Sequence, residues 1–290
     1  MSKYVLLTDS SADLPEKIYK ELDIKVIPLS FLLDGVVYQN LPDESSIAFS
    51  EVYAQLRNGK NVTTSAINVE EFRQAFLPHV EAGNDVLYLG FSSGLSGTFN
   101  ASCIAAQELM EEFPDRNIVC IDSLCASAGQ GLLVYLAAKK RLQGASLNEV
   151  ARYAEDTKPH LCHWFTVDDL FFLKRGGRIS AATALVGSAL GIKPVLHVDD
   201  EGHLISVSKA RGRKKAIAAL FEQMKLTAID PEKQTPMISH GDCIEDAQEL
   251  ARMIKAEFGV DSTIISYVGP VIGAHSGPGT LALFFLGTQR

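Results

Sequence analysis

Short apolar runs alternate with longer stretches of helical periodicity through the first half of the chain. Residues 4–8 (YVLLT) read as a strand. A polar turn follows, and Pro15 opens a helix to about Leu22. Residues 25–37 hold two short strand candidates around Pro28 and Asp34-Gly35, and 46–57 read as a helix. Residues 61–66 (NVTTSA) are expected to form a polar loop before a helix over 69–80, which Pro78 should stop or kink. A strand at 85–89 (DVLYL), a helix at 98–113, a strand at 117–121 (NIVCI) and a helix at 128–142 complete the run. This βαβ rhythm predicts a parallel sheet, in which ligands bind beyond the carboxyl ends of the strands. Those ends carry hydroxyls and acids: Thr8, Ser10 and Ser11, then Ser92 and Ser93, then Asp122 and Ser123.

A helix over 146–157 ends at Lys158-Pro159, which marks the expected boundary between domains 1–158 and 159–290. The second half is less regular. It predicts a strand at 161–167, a helical turn at 168–173, a basic loop at 174–178 and an Ala-rich apolar helix at 179–190. Strands at 192–198 and 203–208 flank Asp199-Asp200-Glu201-Gly202, a hairpin signal. A helix at 212–226, a strand at 236–239, a helix at 244–258, a strand at 263–268, a glycine-rich loop at 269–279 and a strand at 280–286 follow. The pattern predicts two α/β domains, an N-terminal one with a parallel sheet and a C-terminal one with a mixed sheet.

The chain has 290 residues, 47% of them hydrophobic and 21% charged, enough for large cores without covalent staples. Its five cysteines contain no C-x-x-C pair, so no disulfide framework or paired-thiol zinc site is expected. The formal charge of −8 opposes non-specific nucleic-acid binding. The longest apolar run near the C-terminus is far below the roughly 18 residues a membrane span needs, and the N-terminus lacks a signal-peptide apolar region. A cytoplasmic protein without membrane insertion is expected.

Gly90-Phe91-Ser92-Ser93-Gly94 matches G-x-S-x-G between a strand and a helix, the setting of a nucleophile elbow. With His275 downstream it suggests a serine hydrolase of lipase or esterase type; ligand anchoring and helix capping are the other uses of such serines. His275 lies in Gly273-Ala274-His275-Ser276-Gly277-Pro278-Gly279, where backbone can approach a ligand closely. His163 falls on the opposite strand face from His160 and Cys162, which argues against a metal site there. The basic clusters Lys174, Arg175, Arg178 and Lys209, Arg211, Arg213, Lys214, Lys215 are solvated faces or, if they converge, a docking patch. No nucleotide-binding motif is present.

Taken in order, Leu7-Thr8-Asp9-Ser10-Ser11-Ala12-Asp13-Leu14, Thr64-Ser65, Phe91-Ser92-Ser93-Gly94-Leu95-Ser96-Gly97-Thr98-Phe99, Leu173-Lys174-Arg175-Gly176-Gly177-Arg178-Ile179 and the His275 segment resemble the DegV family over essentially the whole chain. The resemblance implies two α/β domains with a long-chain fatty acid between them, and no cofactor. It implies a fatty-acid-binding, non-catalytic subunit of bacterial fatty acid kinase, which presents the acyl carboxylate to a separate ATP-using kinase subunit. The acyl-phosphate so made serves phospholipid synthesis. Carried over by motif, Thr64 and Ser93 hold the carboxylate, with Ser65, Ser92 and Gly94 beside them and His275 near, through water. Arg175, Arg178, Lys209, Arg211 and Arg213 are candidates for the kinase-docking face. One departure is that Ala66-Ile67 follow Thr64-Ser65, where the family often has Gln-Pro or Gln-Val.

Overall fold

The computed structural model describes residues 3–180 and 191–290. Strands β1 (Tyr4–Asp9), β2 (Ile24–Ile27), β6 (Asp85–Gly90) and β7 (Ile118–Asp122) form a parallel sheet in the order β2-β1-β6-β7. Every residue of β6 is buried, as expected of a strand covered on both faces. Beside this sheet, β3 (Ser30–Leu33), β4 (Val36–Gln39) and β5 (Val62–Ser65) make a small antiparallel sheet in the order β4-β3-β5. The expected polar loop at 61–66 is therefore largely a strand. Its β-branched Val-Thr-Thr run pairs with β3 in the register Phe31 to Thr64, an arrangement set by a partner distant in sequence.

The C-terminal half is built on a six-stranded mixed sheet, ordered β10-β9-β8-β13-β11-β12. Its strands are β8 (Leu161–Thr166), β9 (Ile192–Val198), β10 (Leu204–Arg211), β11 (Met237–His240), β12 (Ile264–Tyr267) and β13 (Leu281–Leu286). Side chains alternate across it: Cys162, Trp164, Leu281, Leu283 and Phe285 enter one core with helices Arg213–Thr227 and Ile244–Phe258. Phe165, Ala282 and Phe284 face the other way, into a core shared with the parallel sheet. Helix Ala128–Leu142 runs through that shared core with Leu132, Leu133, Val134 and Ala137. Its first turn is small because a Cβ at Gly129 would collide with the His163 ring.

Two further expectations change. Helix Val69–Glu81 continues through Pro78, which sits in its last turn where few later hydrogen bonds depend on it. The expected loop at 269–279 contains a helix, Pro270–Ser276, opened by proline at its first position. The Ala-rich helix expected at 179–190 lies, from residue 181 onward, outside the described residues. The basic segment at 174–178 is partly helical, within Leu170–Arg175.

Candidate functional site

All four strands of the parallel sheet lead, just past their carboxyl ends, to residues that line one cavity. Ser11 follows β1, Leu29 follows β2, Leu95 and Ser96 follow β6, and Ala126 and Ser127 follow β7. The opposite wall is the face of the six-stranded sheet, with Phe165, Val198, Ala282 and Phe284. Strand β5 adds Thr64 and Ser65 from one side, and helix Pro270–Ser276 adds Ile272, His275 and Ser276 from the other. The space is thus mostly apolar along the sheet face, where His163 and Ser239 are the polar members, and polar where β5, the loop after β6 and the His275 helix meet. A buried acid holds that loop: Asp9 accepts hydrogen bonds from the Tyr88 hydroxyl at 2.7 Å, the Phe91 amide at 3.2 Å and Gln130 Nε2 at 3.1 Å.

At the polar end, Thr64 Oγ1 and His275 Nε2 are hydrogen-bonded at 2.8 Å, across 211 residues of sequence. The imidazole lies against Gly176, where a Cβ would stand 2.3 Å from Nδ1, so only a glycine leaves room for the ring. Burial, with the Arg178 and Arg175 guanidiniums nearby, pushes the His275 pKa down to about 4 and keeps the ring neutral at pH 7. Arg178 also lines the cavity; its Nε donates to the Leu95 carbonyl at 3.3 Å and its guanidinium to the Gly176 carbonyl. Ser276 is buried, and its hydroxyl has no hydrogen-bond partner among the described residues.

The GFSSG serines are placed otherwise than expected. Ser92 is fully buried and donates to the Gly202 carbonyl at 2.9 Å while accepting from the Gly94 amide at 3.2 Å. It ties the loop after β6 to the β9–β10 turn. Ser93 is exposed and does not line the cavity; its amide donates to the Asp122 carboxylate at 3.2 Å. Gly94 packs against the backbone of Glu201 and Gly202, also away from the cavity. The assignment of Ser93 to a carboxylate inside the cavity is therefore corrected: the hydroxyl this loop brings to the wall is that of Ser96, three residues on. Among the described residues, neither Ser92 nor Ser93 is hydrogen-bonded to His275, which bonds Thr64 instead. Of the strand-end hydroxyls named from the sequence, Ser11 lines the cavity and Thr8, Ser10, Ser92, Ser93 and Ser123 do not, because which side chain turns inward depends on the path of each loop.

The basic residues divide as well. Arg178 is in the cavity wall, and Arg213 pairs with Asp246 at 2.8 Å and with Asp168 at 3.6 Å. Arg175, Lys209 and Arg211 are exposed. Among the described residues there is no cluster able to hold a metal ion and no helix long and apolar enough to cross a membrane.

An α/β protein with an apolar cavity between a parallel and a mixed sheet, polar at one end, is the class that fold and site define. The chain belongs to the DegV family, whose sequence profile, described as "Uncharacterised protein, DegV family", matches residues 3–288. It is 47% identical over 290 residues to a DegV domain-containing protein of Clostridium perfringens, covering 100% of this chain and 99% of that one. Among solved structures, it is similar to a DegV family protein from Thermus thermophilus described as fatty acid binding. That match has a TM-score of 0.87 and 30% identity, and covers 98% of this chain and 99% of that chain. A DegV lipid-binding protein from Thermotoga maritima matches with a TM-score of 0.85 and 31% identity over 99% of both chains.

Proposed function

We propose that this protein is a carrier that binds one long-chain fatty acid, with the carboxylate at the Thr64–His275 end and the tail along the sheet face. The observation that carries the reading is the joining of an apolar channel to a polar end built from Thr64, Ser96, His275 and Arg178. Residues 1–158 and 159–290 act as two lobes that both line the site. A sixteen-carbon acid has about fourteen methylenes, and burying them at about 0.8 kcal/mol each contributes roughly 11 kcal/mol. Carboxylate desolvation, several kcal/mol, and lost motional freedom of about 4–15 kcal/mol oppose this. The head group must therefore be hydrogen-bonded. Thr64, Ser96 and the Ser276 hydroxyl, unpartnered among the described residues, offer neutral donors, and Arg178 supplies a nearby positive charge.

The finer part of the proposal is a role beside an ATP-using kinase subunit, for which the carrier presents the carboxylate and itself contributes no phosphoryl chemistry. In this role the exposed Arg175, Lys209 and Arg211 meet an acidic partner surface. Denaturing the purified chain and analysing the released lipid by mass spectrometry tests the carrier reading. A long-chain fatty acid near one per chain is expected, and the absence of any acyl lipid, together with no binding of added acid, would overturn it. Formation of acyl-phosphate from the loaded carrier, ATP and a kinase subunit, lost on charge reversal of Arg175 and Arg211, tests the finer part.

A further inference from the structure

The segment after β1 serves two cavities. Ser11 lines the apolar one, while Ser10 and Asp13 line a second, of about 250 Å³, completed by Ser266 and Tyr267 from β12. Asp13 links the two spaces: its Oδ2 accepts from the Ser127 hydroxyl at 2.5 Å, and Ser127 belongs to the apolar cavity. The second space exceeds what one or two ordered waters fill, and both halves of the chain contribute to it.

Three of its lining residues carry an oxygen with no hydrogen-bond partner among the described residues: Asp13 Oδ1, the Tyr19 hydroxyl and Ser266 Oγ. Asp13 is 8% exposed and Tyr19 5%, so two of the three side chains are more than nine-tenths buried, where an unmatched polar atom is costly. The same cavity is lined by three acids and three aromatic rings, and by no lysine, arginine or histidine. Glu16 pairs with Lys20, and Glu44 accepts from the Phe49 amide at 2.8 Å, which leaves Asp13 as the buried acid without a cation. Burial pushes its pKa up to about 8, the response of a carboxyl that lacks a counter-charge. The rings are Tyr19, Phe49 and Tyr267, the last two meeting edge to face at 6.1 Å.

We propose that this second cavity binds a small organic cation, its primary ammonium received by Asp13, Tyr19 and Ser266 and its carbon body by Phe49 and Tyr267. A primary ammonium has three N–H donors and no acceptor, which matches three unpartnered oxygens in an acidic lining, and aromatic rings attract a cation. A metal ion fits less well, since among the described residues no group of three acids, histidines or cysteines converges to hold one. The site lies apart from the Thr64–His275 end and does not depend on the carrier reading.

The test is an NMR titration of the full, isotopically labelled chain with propylammonium chloride, against propan-1-ol as the uncharged isostere and sodium chloride at equal ionic strength. Propylammonium should bind saturably and about tenfold or more tighter than propanol, the effect of a hydrogen bond to a charged group, with the largest shifts at Tyr19 and Tyr267. Tyr19→Phe deletes a hydroxyl with no partner among the described residues, so the melting temperature should hold while affinity falls about tenfold. Asp13→Asn keeps the side chain's shape and should bring propylammonium down to the level of propanol; if that variant fails to fold, Tyr19→Phe decides alone. Equal binding of amine and alcohol, an affinity untouched by Tyr19→Phe, or shifts centred on the apolar cavity would each overturn the site.

Discussion

The two walls of the cavity are made in different ways. On one side, residues arrive singly from β5 and from the segments just past four parallel strands, with Thr64, Ser11, Ser96 and Ser127 among Leu29, Leu95 and Ala126. On the other, one face of a six-stranded sheet presents Phe165, Ala282 and Phe284 by simple alternation along β8 and β13. The sheet wall tolerates volume-conserving change but not added bulk, because its side chains are already packed. The loop wall depends on single hydrogen bonds, so each substitution there should have its own distinct cost.

Added bulk on the sheet wall gives the sharpest test of that contrast. Ala282→Phe should displace three or four methylenes of a bound acid at about 0.8 kcal/mol each, weakening binding on the order of 100-fold. Titration calorimetry measures this, with thermal melting to check that the fold survives. Next in size is an acid-side effect at the polar end. The His275 pKa falls from 6.5 to about 4 on folding, so between those values the unfolded chain binds the extra proton and stability drops as pH falls. Denaturant unfolding at pH 7 and pH 4 should show this chain losing about 2–3 kcal/mol more than His275→Gln. Taking the difference removes Asp13, whose raised pKa works in the opposite sense, favouring the fold as pH falls from about 8 toward 4.

Thr64→Ala should weaken fatty-acid binding about tenfold, the usual cost of one hydrogen bond to a charged group, and leave the melting temperature nearly unchanged. Equal affinity in the variant would remove Thr64 from the head-group site. Ser92→Ala should instead cost about 1 kcal/mol of stability by leaving the Gly202 carbonyl unmatched, and it should not be rescued by ligand chemistry. The smallest effect is expected for Ser93→Ala, within about twofold in affinity, since its side chain is exposed and apart from the cavity.

Much of the fold was legible because burial follows period. Helices Ala128–Leu142 and Ile244–Phe258 coincide with their apolar patterns, and β6 reads as the buried strand it is. Two elements were hidden for identifiable reasons. Four residues of β5 are too few to show alternation, and its pairing with β3 spans some thirty positions. The glycines and proline of 269–279 suggest a loop, yet proline at the first helical position and tight packing of Gly273 against Tyr53 permit a helical turn. At the site, hydroxyls at strand ends and His275 stood out by residue type. The exchange of Ser93 for Ser96, and of a docking role for Arg178 with a place in the cavity wall, turned on loop paths that one-dimensional spacing does not encode.

The fit of Gly176 against the His275 ring has an evolutionary consequence. Because any side chain at position 176 would strike Nδ1 and swing the imidazole off Thr64, neither partner is free to drift while the other stays. The two sites, ninety-nine positions apart, are expected to change in concert or not at all, and a relative that has lost one should have rebuilt the other.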